Sequence, residues 1–246
     1  MTIAIADLSR LFPGPPAHLA LAHLDLAVEP GEFLCLVGPS GSGKTTLLRI
    51  LAGLDKGFTG RLTLPPALRS AIVFQEPRLM PWLTVLENLL LVAPTRDRET
   101  RERAVSLLQE VDIAGFATAY PGQLSGGMQR RVALARALLV APELMLMDEP
   151  FVSLDMPTGD HLRALVARLW RRRRMTSIFV THDLREAMGL ATRLLFLTRS
   201  PGRAALEFVP DLPPPGERGV AEIEAAVASL LAHHPRLLEG QRGSEA

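Results

Sequence analysis

The feature that most constrains this chain is a glycine-rich stretch, Gly38-Pro-Ser-Gly-Ser-Gly-Lys-Thr-Thr46. It fits the pattern G-x-x-x-x-G-K-[ST], in which backbone N–H groups cradle phosphates. The flanks fit as well, because Glu32–Val37 is a short apolar run and Thr45–Gly53 has a helical pattern. This order places phosphates at a helix N-terminus, where unpaired N–H groups and the helix dipole favour anions. The alternative, a glycine-rich turn that binds nothing, leaves these flanks unexplained.

Lys44 stands out within this stretch because lysine is rare in the chain. Of the 27 basic residues, only Lys44 and Lys56 are lysines, and all the others are arginines. A compact ammonium on a flexible stem suits a point-charge contact with phosphate, which the planar guanidinium of arginine does not simply replace. We therefore interpret Lys44 as a phosphate ligand.

Charge and composition exclude several classes of function. The 246 residues carry a net charge of +1, which argues against a nucleic-acid-binding protein. The run Arg171–Arg174 follows a helical pattern, and we interpret it as a solvated helix end rather than a binding patch. The single cysteine, Cys35, excludes an internal disulfide and is predicted to be an inert core residue in a reducing compartment. With no apolar stretch of about 18 residues and no signal peptide, we expect a cytosolic protein.

Hydrophobic periodicity divides the chain into three regions. Short apolar or alternating runs before residue 30, and another at Gly60–Leu64, predict antiparallel strands. The periodicity is helical from Leu83 to Val140, and apolar runs then alternate with helical segments, which predicts a parallel sheet covered on both faces. Those later strands are Leu144–Met147, Ser177–Val180 and Leu194–Leu197, with a further buried strand at Ala71–Phe74 and helices at 158–172 and 184–191.

The domain organisation follows from these regions. Residues 1–208 are predicted to form one α/β nucleotide-binding domain with an N-terminal antiparallel β subdomain, a mainly parallel sheet core and an inserted α-helical subdomain at about 77–140. Residues 209–217 are rich in proline and form a linker. A helix over Val220–His233 and a frayed polar tail complete the segment 209–246.

A second chemical element lies at the end of the apolar run Leu144–Met147. Asp148 and Glu149 follow this run, at the strand tip where ligands bind in open α/β sheets. In proteins with such a phosphate loop, an aspartate here helps to hold Mg²⁺ together with the loop hydroxyl, which is Thr45 in this chain. Glu149, on an extended backbone, would face the other way and could polarise a water for attack on the γ-phosphate. The alternative is two ordinary acids at a strand end.

A third element, Leu124-Ser-Gly-Gly-Met-Gln129, lies in the helical region. Ser125 is a good N-cap for a helix beginning near Met128, and two glycines allow its backbone to approach a charged group closely. One nucleotide does not need two phosphate-binding helix termini in one chain, whereas a dimer could place each nucleotide between the loop of one copy and this element of the other. An ordinary capped helix start is the alternative.

Together these elements resemble the nucleotide-binding subunits of ABC transporters, over nearly the whole chain and in the order and spacing of that family. The resemblance implies a P-loop NTPase fold of the RecA-like type. The matching stretches are Gly38–Thr45 for Walker A, Gln75 for the Q-loop, Leu124–Gln129 for the signature, Leu144–Glu149 for Walker B, Ser153–Asp155 for the D-loop and Thr181–Asp183 for the switch histidine.

The resemblance also implies roles for individual residues with ATP and Mg²⁺. Lys44 would bind the β- and γ-phosphates, Glu149 would be the general base, and His182 would contact the γ-phosphate. Thr45 and Asp148 would hold Mg²⁺, with Gln75 at the metal or the attacking water. The nucleotide-binding set is Gly38, Pro39, Ser40, Gly41, Ser42, Gly43, Lys44, Thr45 and Thr46 in the loop, Ser125, Gly126, Gly127 and Asp155 toward a second copy, and Phe12 as the stacking partner of adenine. For Phe12 the alternative is a core or loop aromatic.

The stretch Glu76–Asn88 is similar to importer ATPases for nitrate, sulfonates and taurine, as are Asp148–Phe151, Thr181–Met188 and Ser200–Arg203. That group more often has Phe-Gly-Ala-Leu-Asp where this chain has Phe-Val-Ser-Leu-Asp, and its C-terminal stretch is usually more basic. The resemblance implies a homodimer on the cytoplasmic face of the inner membrane. Permease subunits would dock near residues 76–92, with an extracytoplasmic solute-binding protein as an indirect partner and no nucleic acid.

Two other classes of function compete with the importer ATPase. A soluble ABC protein acting on ribosomes or DNA would usually join two ATPase units or insert a long coiled coil, and this sequence contains neither. A nucleotide-gated interaction module that no longer hydrolyses ATP would not need the pair Glu149 and His182, both of which are intact.

Overall fold

The computed structural model describes residues 2–239, which form nine strands, seven α-helices and three short 3₁₀-helices. In chain order the strands and α-helices are β1 (Ile3–Phe12), β2 (His18–Val28), β3 (Phe33–Val37), α1 (Lys44–Leu51), β4 (Thr59–Thr63), β5 (Ser70–Val73), α2 (Val85–Leu90), α3 (Arg98–Glu110), α4 (Gly126–Leu139), β6 (Leu144–Asp148), α5 (Met156–Arg173), β7 (Thr176–Thr181), α6 (Leu184–Leu190), β8 (Arg193–Leu197), β9 (Ala204–Phe208) and α7 (Val220–His233).

The strands form two sheets, as the sequence predicts. A three-stranded antiparallel sheet has the order β2-β1-β4, and a six-stranded sheet has the order β5-β6-β7-β3-β8-β9. The first five strands of the larger sheet are parallel, and β9 pairs with β8 in the antiparallel direction. The sequence analysis did not predict β9. The residues of this edge strand are half-buried or exposed, and its sequence has no long run of apolar residues.

The central strand β3 is buried at every position and contributes to two hydrophobic cores. Phe33, Cys35 and Val37 pack into the core that holds α2 to α6, whereas Leu34 and Leu36 pack into the core beneath α1 and the antiparallel sheet. This alternation follows from the two-residue period of a strand with both faces covered. Cys35 is a core residue as predicted, and burial raises the pKa of its thiol.

Polar side chains cap the helices that surround this sheet. Thr84 accepts a hydrogen bond from the Glu87 amide at the start of α2, and Glu87 in turn accepts from the Thr84 amide at 2.8 Å. Ser125, Asp155 and Asp183 cap α4, α5 and α6. Each cap satisfies an amide that has no partner within its helix, so the starting points of these helices are set by local sequence.

The C-terminal part of the described chain packs against the sheet-covering helices. The predicted helix Val220–His233 is present as α7, and its Leu230 is buried in the larger core. Arg171–Arg174 end α5, as interpreted from the sequence, and Arg173 forms an ion pair with Glu110 at 2.6 Å. The predicted polar tail lies mainly in residues 240–246, outside the described residues. Within residues 2–239, no helix has the length and apolar character needed to cross a membrane.

Candidate nucleotide-binding site

The glycine-rich loop connects the buried strand β3 to the first turn of α1, as predicted. Gly41 and Gly43 have φ values of 80° and 84°, in the left-handed region that favours glycine. A Cβ atom on Gly43 would lie 2.7 Å from the carbonyl oxygen of Ala20, so a side chain is excluded there. Gly43 also precedes α1 without any side-chain cap, which leaves the first amides of the helix available to an anion.

Lys44 is buried within this loop, with only 6% of its surface exposed. Its ammonium donates to the Gly38 carbonyl at 2.6 Å, the Pro39 carbonyl at 3.0 Å and the Ser42 hydroxyl at 3.3 Å. Burial lowers the pKa of Lys44, and the nearby carboxylates of Glu149 and Asp148 oppose that shift. A cation held by neutral oxygens in a buried position is suited to binding an anion strongly, because water screens the interaction weakly there.

Asp148 ends β6 opposite the start of α1. The Thr45 hydroxyl donates to the Asp148 carboxylate, with 2.9 Å between Oγ1 and Oδ1. Burial is the main cause that raises the pKa of Asp148, and the hydrogen bond from Thr45 acts in the opposite direction. The folded chain therefore holds a carboxylate under a desolvation penalty next to a hydroxyl, which is a donor set that suits a hard cation.

Glu149 follows directly and contacts the residue that the sequence identified as a switch histidine. Glu149 Oε2 lies 3.2 Å from His182 Nδ1. The expectation of an extended backbone at Glu149 is wrong, because its φ is 44° and β6 ends at Asp148. The Glu149 amide donates to the Val180 carbonyl at 3.0 Å, which keeps Glu149 next to β7, the strand that His182 follows.

A cleft of about 360 Å³ opens over the loop, lined by Phe12, His18, Ala20, residues 40–46 and Glu149. Phe12 is 37% exposed, and the Arg10 guanidinium lies 4.0 Å from its ring centroid. The sequence analysis missed His18, which pairs with Phe12 across the β1–β2 hairpin. Pairing the two predicted strands across a turn at Pro13–Pro16 would have placed His18 opposite Phe12. The cleft thus combines two aromatic rings at one end with the phosphate loop.

Several predicted site residues lie away from this cleft. Gln75 is exposed just beyond β5 and does not line the cleft. Ser125 caps α4, and the helix begins at Gly126 rather than near Met128 as predicted. Asp155 caps α5 and, with His182, lines a separate cleft of about 280 Å³. One chain therefore brings together the loop, Asp148, Glu149 and His182, but not the signature residues.

Comparison with known proteins identifies the family. Residues 21–152 match the family model described as ABC transporter. The chain belongs to the ABC transporter family. An aliphatic sulfonates import ATP-binding protein of Granulibacter bethesdensis is 50% identical over 210 residues, covering 85% of this chain and 84% of that protein. A protein of the same name in Bacillus subtilis is 41% identical over 209 residues, covering 82% of each.

A solved structure agrees with this assignment. The ATP-binding cassette MJ0796, described as a dimer in a post-hydrolysis state with ADP and Pi, superposes with a TM-score of 0.75 at 31% identity. The match covers 84% of this chain and 98% of that one. The predicted fold class and the predicted family of ABC transporter ATPases are therefore confirmed, and with them ATP binding and ATP hydrolysis as the activity of this family.

The buried carboxylate of Asp148 should affect the free energy of unfolding of this ABC ATPase. A folded-state pKa above the ordinary value of 3.8 means that folding disfavours the charged form at neutral pH. We expect Asp148→Asn to be at least as stable as the wild type at pH 7. As the pH falls through the raised pKa, the wild type should gain stability relative to the variant, measured by urea unfolding at several pH values.

Asp55 provides a control, because its pKa is shifted in the opposite direction to that of Asp148. A hydrogen bond from Arg10 is the main cause that lowers the pKa of Asp55. Asp55→Asn should therefore lower the free energy of unfolding at pH 7, and that difference should shrink as acid protonates the wild-type carboxyl. A loss of stability at pH 7 in Asp148→Asn would contradict the electrostatic account of the cleft.

Proposed function

We propose that this chain hydrolyses ATP to energise an ABC importer for aliphatic sulfonates or a related small solute such as nitrate or taurine. The observation that carries the proposal is that Lys44, Thr45 and Glu149 line the cleft over the phosphate loop, while Asp148 contacts Thr45 and His182 contacts Glu149. The substrate class rests on the relatives named for import of aliphatic sulfonates. The alternative of an ABC ATPase acting on ribosomes or DNA has no supporting feature among the described residues.

The residues around Asp148 fit a magnesium ion bound together with ATP. Mg²⁺ prefers oxygen ligands and in nucleotide sites usually takes one or two protein ligands, with phosphate and water completing its shell. A hydroxyl and a carboxylate oxygen 2.9 Å apart, Thr45 Oγ1 and Asp148 Oδ1, meet that requirement. When bound, the ion would neutralise charge that develops on the phosphates. Gln75 is the further proposed ligand, and it is exposed just beyond the end of β5.

In this proposal Glu149 and His182 act on the γ-phosphate end of the nucleotide. Glu149 would accept a proton from the attacking water, and its contact with His182 Nδ1 orients the carboxylate. Lys44 would stabilise charge on the transferred phosphoryl group, and Phe12 would stack on adenine, with the Arg10 guanidinium close to its ring. Hydrolysis therefore needs little beyond positioning and electrostatics.

Glu149→Gln tests the role of the base. The substitution keeps the size of the side chain but removes the proton acceptor, so we expect ATP binding within about 3-fold of the wild type and turnover reduced by about 10²-fold or more. Titration calorimetry and a phosphate-release assay measure the two quantities. Lys44→Ala is the comparison, because it should lower ATP affinity as well as turnover. Undiminished turnover in Glu149→Gln would contradict the assignment.

The signature residues support a dimer in which a second copy completes each site. A Cβ atom on Gly127 would overlap the Thr158 methyl group, so packing within the chain explains that glycine. A Cβ atom on the exposed Gly126 would meet no atom within 4 Å. A glycine next to open space suits close approach of another molecule, here the γ-phosphate held by the partner copy. Ser125 and Asp155 lie at helix starts and would join this interface.

Gly126→Asp separates dimer formation from folding. An aspartate in the first turn of α4 is favourable for the isolated chain, so we expect its melting temperature to equal or slightly exceed that of the wild type. In the dimer the new carboxylate would face phosphate, and ATP-dependent dimerisation in the Glu149→Gln background should be lost by light scattering. Gly127→Ala is the matched control, and it should destabilise the monomer by about 1–3 kcal/mol through overpacking. An ATP-bound dimer of Gly126→Asp would contradict the proposed interface.

The segment 76–92 supports docking of a permease subunit. Trp82 is 70% exposed, although an aromatic ring of this size is normally covered. The fully buried Asn88 fixes the segment, because its side-chain amide accepts from the Met80 amide at 2.8 Å and donates to the carbonyls of Leu83 and Thr84. A rigidly presented tryptophan is a typical interface anchor. We propose on this basis that the chain binds a permease at the cytoplasmic face of the inner membrane, with a solute-binding protein as indirect partner.

Trp82→Ala tests the docking surface in the assembled transporter. Removing an exposed anchor should leave ATP turnover of the isolated chain unchanged and weaken permease binding by about 10-fold or more. Co-purification from membranes and uptake of radiolabelled sulfonate measure the loss. Val220→Ala, at a similarly exposed apolar residue on α7, should leave both unchanged. Recovery of the wild-type chain only with ribosomes would contradict the transport proposal.

A further inference from the structure

One arginine on α4 connects two loops that are far apart in the sequence. Arg130 donates through NH1 to the Gln75 carbonyl at 2.8 Å and to the Pro150 carbonyl at 2.8 Å. Its NH2 group donates to the Val152 carbonyl. The first acceptor lies just beyond β5, and the other two lie directly after Glu149. A single guanidinium thus bridges the two loops that carry the proposed water-activating and metal-binding residues.

The chemistry of these contacts suits a fixed geometry. The planar guanidinium presents five donors in a rigid fork, so one side chain can hold several acceptors in a defined arrangement. All three contacts are to main-chain oxygens, which restrains the path of each loop rather than one rotamer. Burial lowers the pKa of Arg130, in keeping with its position between the two loops. A lysine could not reproduce the same set of contacts.

The position of Arg130 on α4 adds a second connection. The helix begins at Gly126, after the Ser125 cap that the proposed dimer places against the partner's nucleotide. Arg130 lies about one turn further along the same helix. Its contacts therefore join the loops of the chain's own ATP site to the helix that would complete the opposite site.

We propose that Arg130 is a positioning residue for ATP hydrolysis, which holds the Gln75 and Glu149 loops together on the signature helix. The inference rests on the proposed function, because it requires that these two residues act on the nucleotide. Arg130 itself lies outside the cleft lining, so its effect is on the rate of the chemical step rather than on ATP binding. Loss of the bridge should leave Lys44 and its loop unchanged.

The same helix supplies a matched control. Arg136 donates to the carbonyls of Pro77 and Arg78 at 2.8 and 2.9 Å, so it restrains the same segment beyond β5. Burial lowers its pKa as it does for Arg130. No hydrogen bond of Arg136 in the described part of the chain reaches residues 150–152. Substituting either arginine removes a half-buried guanidinium, but only Arg130 connects the two loops.

The experiment compares Arg130→Met, Arg136→Met, Glu149→Gln and wild type as full chains, by ATP turnover, ATP affinity and thermal melting. We expect Arg130→Met to lower kcat by about 10-fold or more, with KM within about 3-fold of wild type. Arg136→Met should keep kcat within about 3-fold. A general loss of structure would instead change both KM and the melting temperature. A lower kcat with an unchanged KM therefore distinguishes the positioning role from a loss of structure.

The outcomes separate the two proposals. Normal turnover in Arg130→Met with an inactive Glu149→Gln would overturn the role of Arg130 and leave the proposed function standing. Wild-type turnover in Glu149→Gln would instead overturn the proposed catalytic assignment. Equal losses in both methionine variants would also overturn the bridging role. If Arg130→Met does not fold, Arg130→Lys replaces it in the experiment, because lysine keeps the positive charge but lacks the forked guanidinium. It should show the same kcat defect, and wild-type kcat there would refute the inference.

Discussion

The nucleotide cleft depends on a junction at which three segments of main chain approach closely. Gly43 of the phosphate loop faces the carbonyl of Ala20 in β2, and the Gly202 amide donates to the same carbonyl at 2.9 Å. A Cβ atom on Gly202 would overlap the carbonyl oxygen of Ser42. Because both residues are glycines, the backbones of the phosphate loop, the antiparallel sheet and the turn after β8 can approach each other this closely. This contact brings the Phe12 end of the β1–β2 hairpin over a loop that belongs to the other sheet.

Electrostatics in the cleft favour ligand binding over the stability of the free chain. Lys44 and Asp148 are both buried, yet Lys44 is bonded to neutral oxygens and Asp148 to a hydroxyl rather than to each other. Desolvation is the main cause that shifts the pKa of each group toward its neutral form. Phosphate and a divalent cation would supply the missing partners. Sites that keep such unbalanced charges commonly do so at a cost in stability.

Much of this fold was predictable because its signals are local. The phosphate loop, the buried parallel strands and the helix cap at Ser125 depend on residues within a few positions of one another, and the structure has them where the sequence indicates. The edge strand β9 was missed because half-exposed residues carry no periodic apolar signal. The backbone of Glu149 was predicted wrongly, because a left-handed φ is uncommon for a residue other than glycine and the apolar run before it indicates only an extended strand. The domain boundaries at 208 and about 77–140 stay predictions.

The sequence by itself determined the chemistry that this ABC ATPase can perform, since glycine, lysine and carboxylate residues at fixed spacings suit phosphate and metal binding wherever they occur. Only the tertiary structure decided which distant groups meet. His18 faces the cleft because of the hairpin register, and Glu149 reaches His182 because β6 and β7 are neighbours in the sheet. Arg130 connects carbonyls 55 and 20 positions away. Such contacts depend on how helices and strands pack, which short-range sequence patterns do not encode.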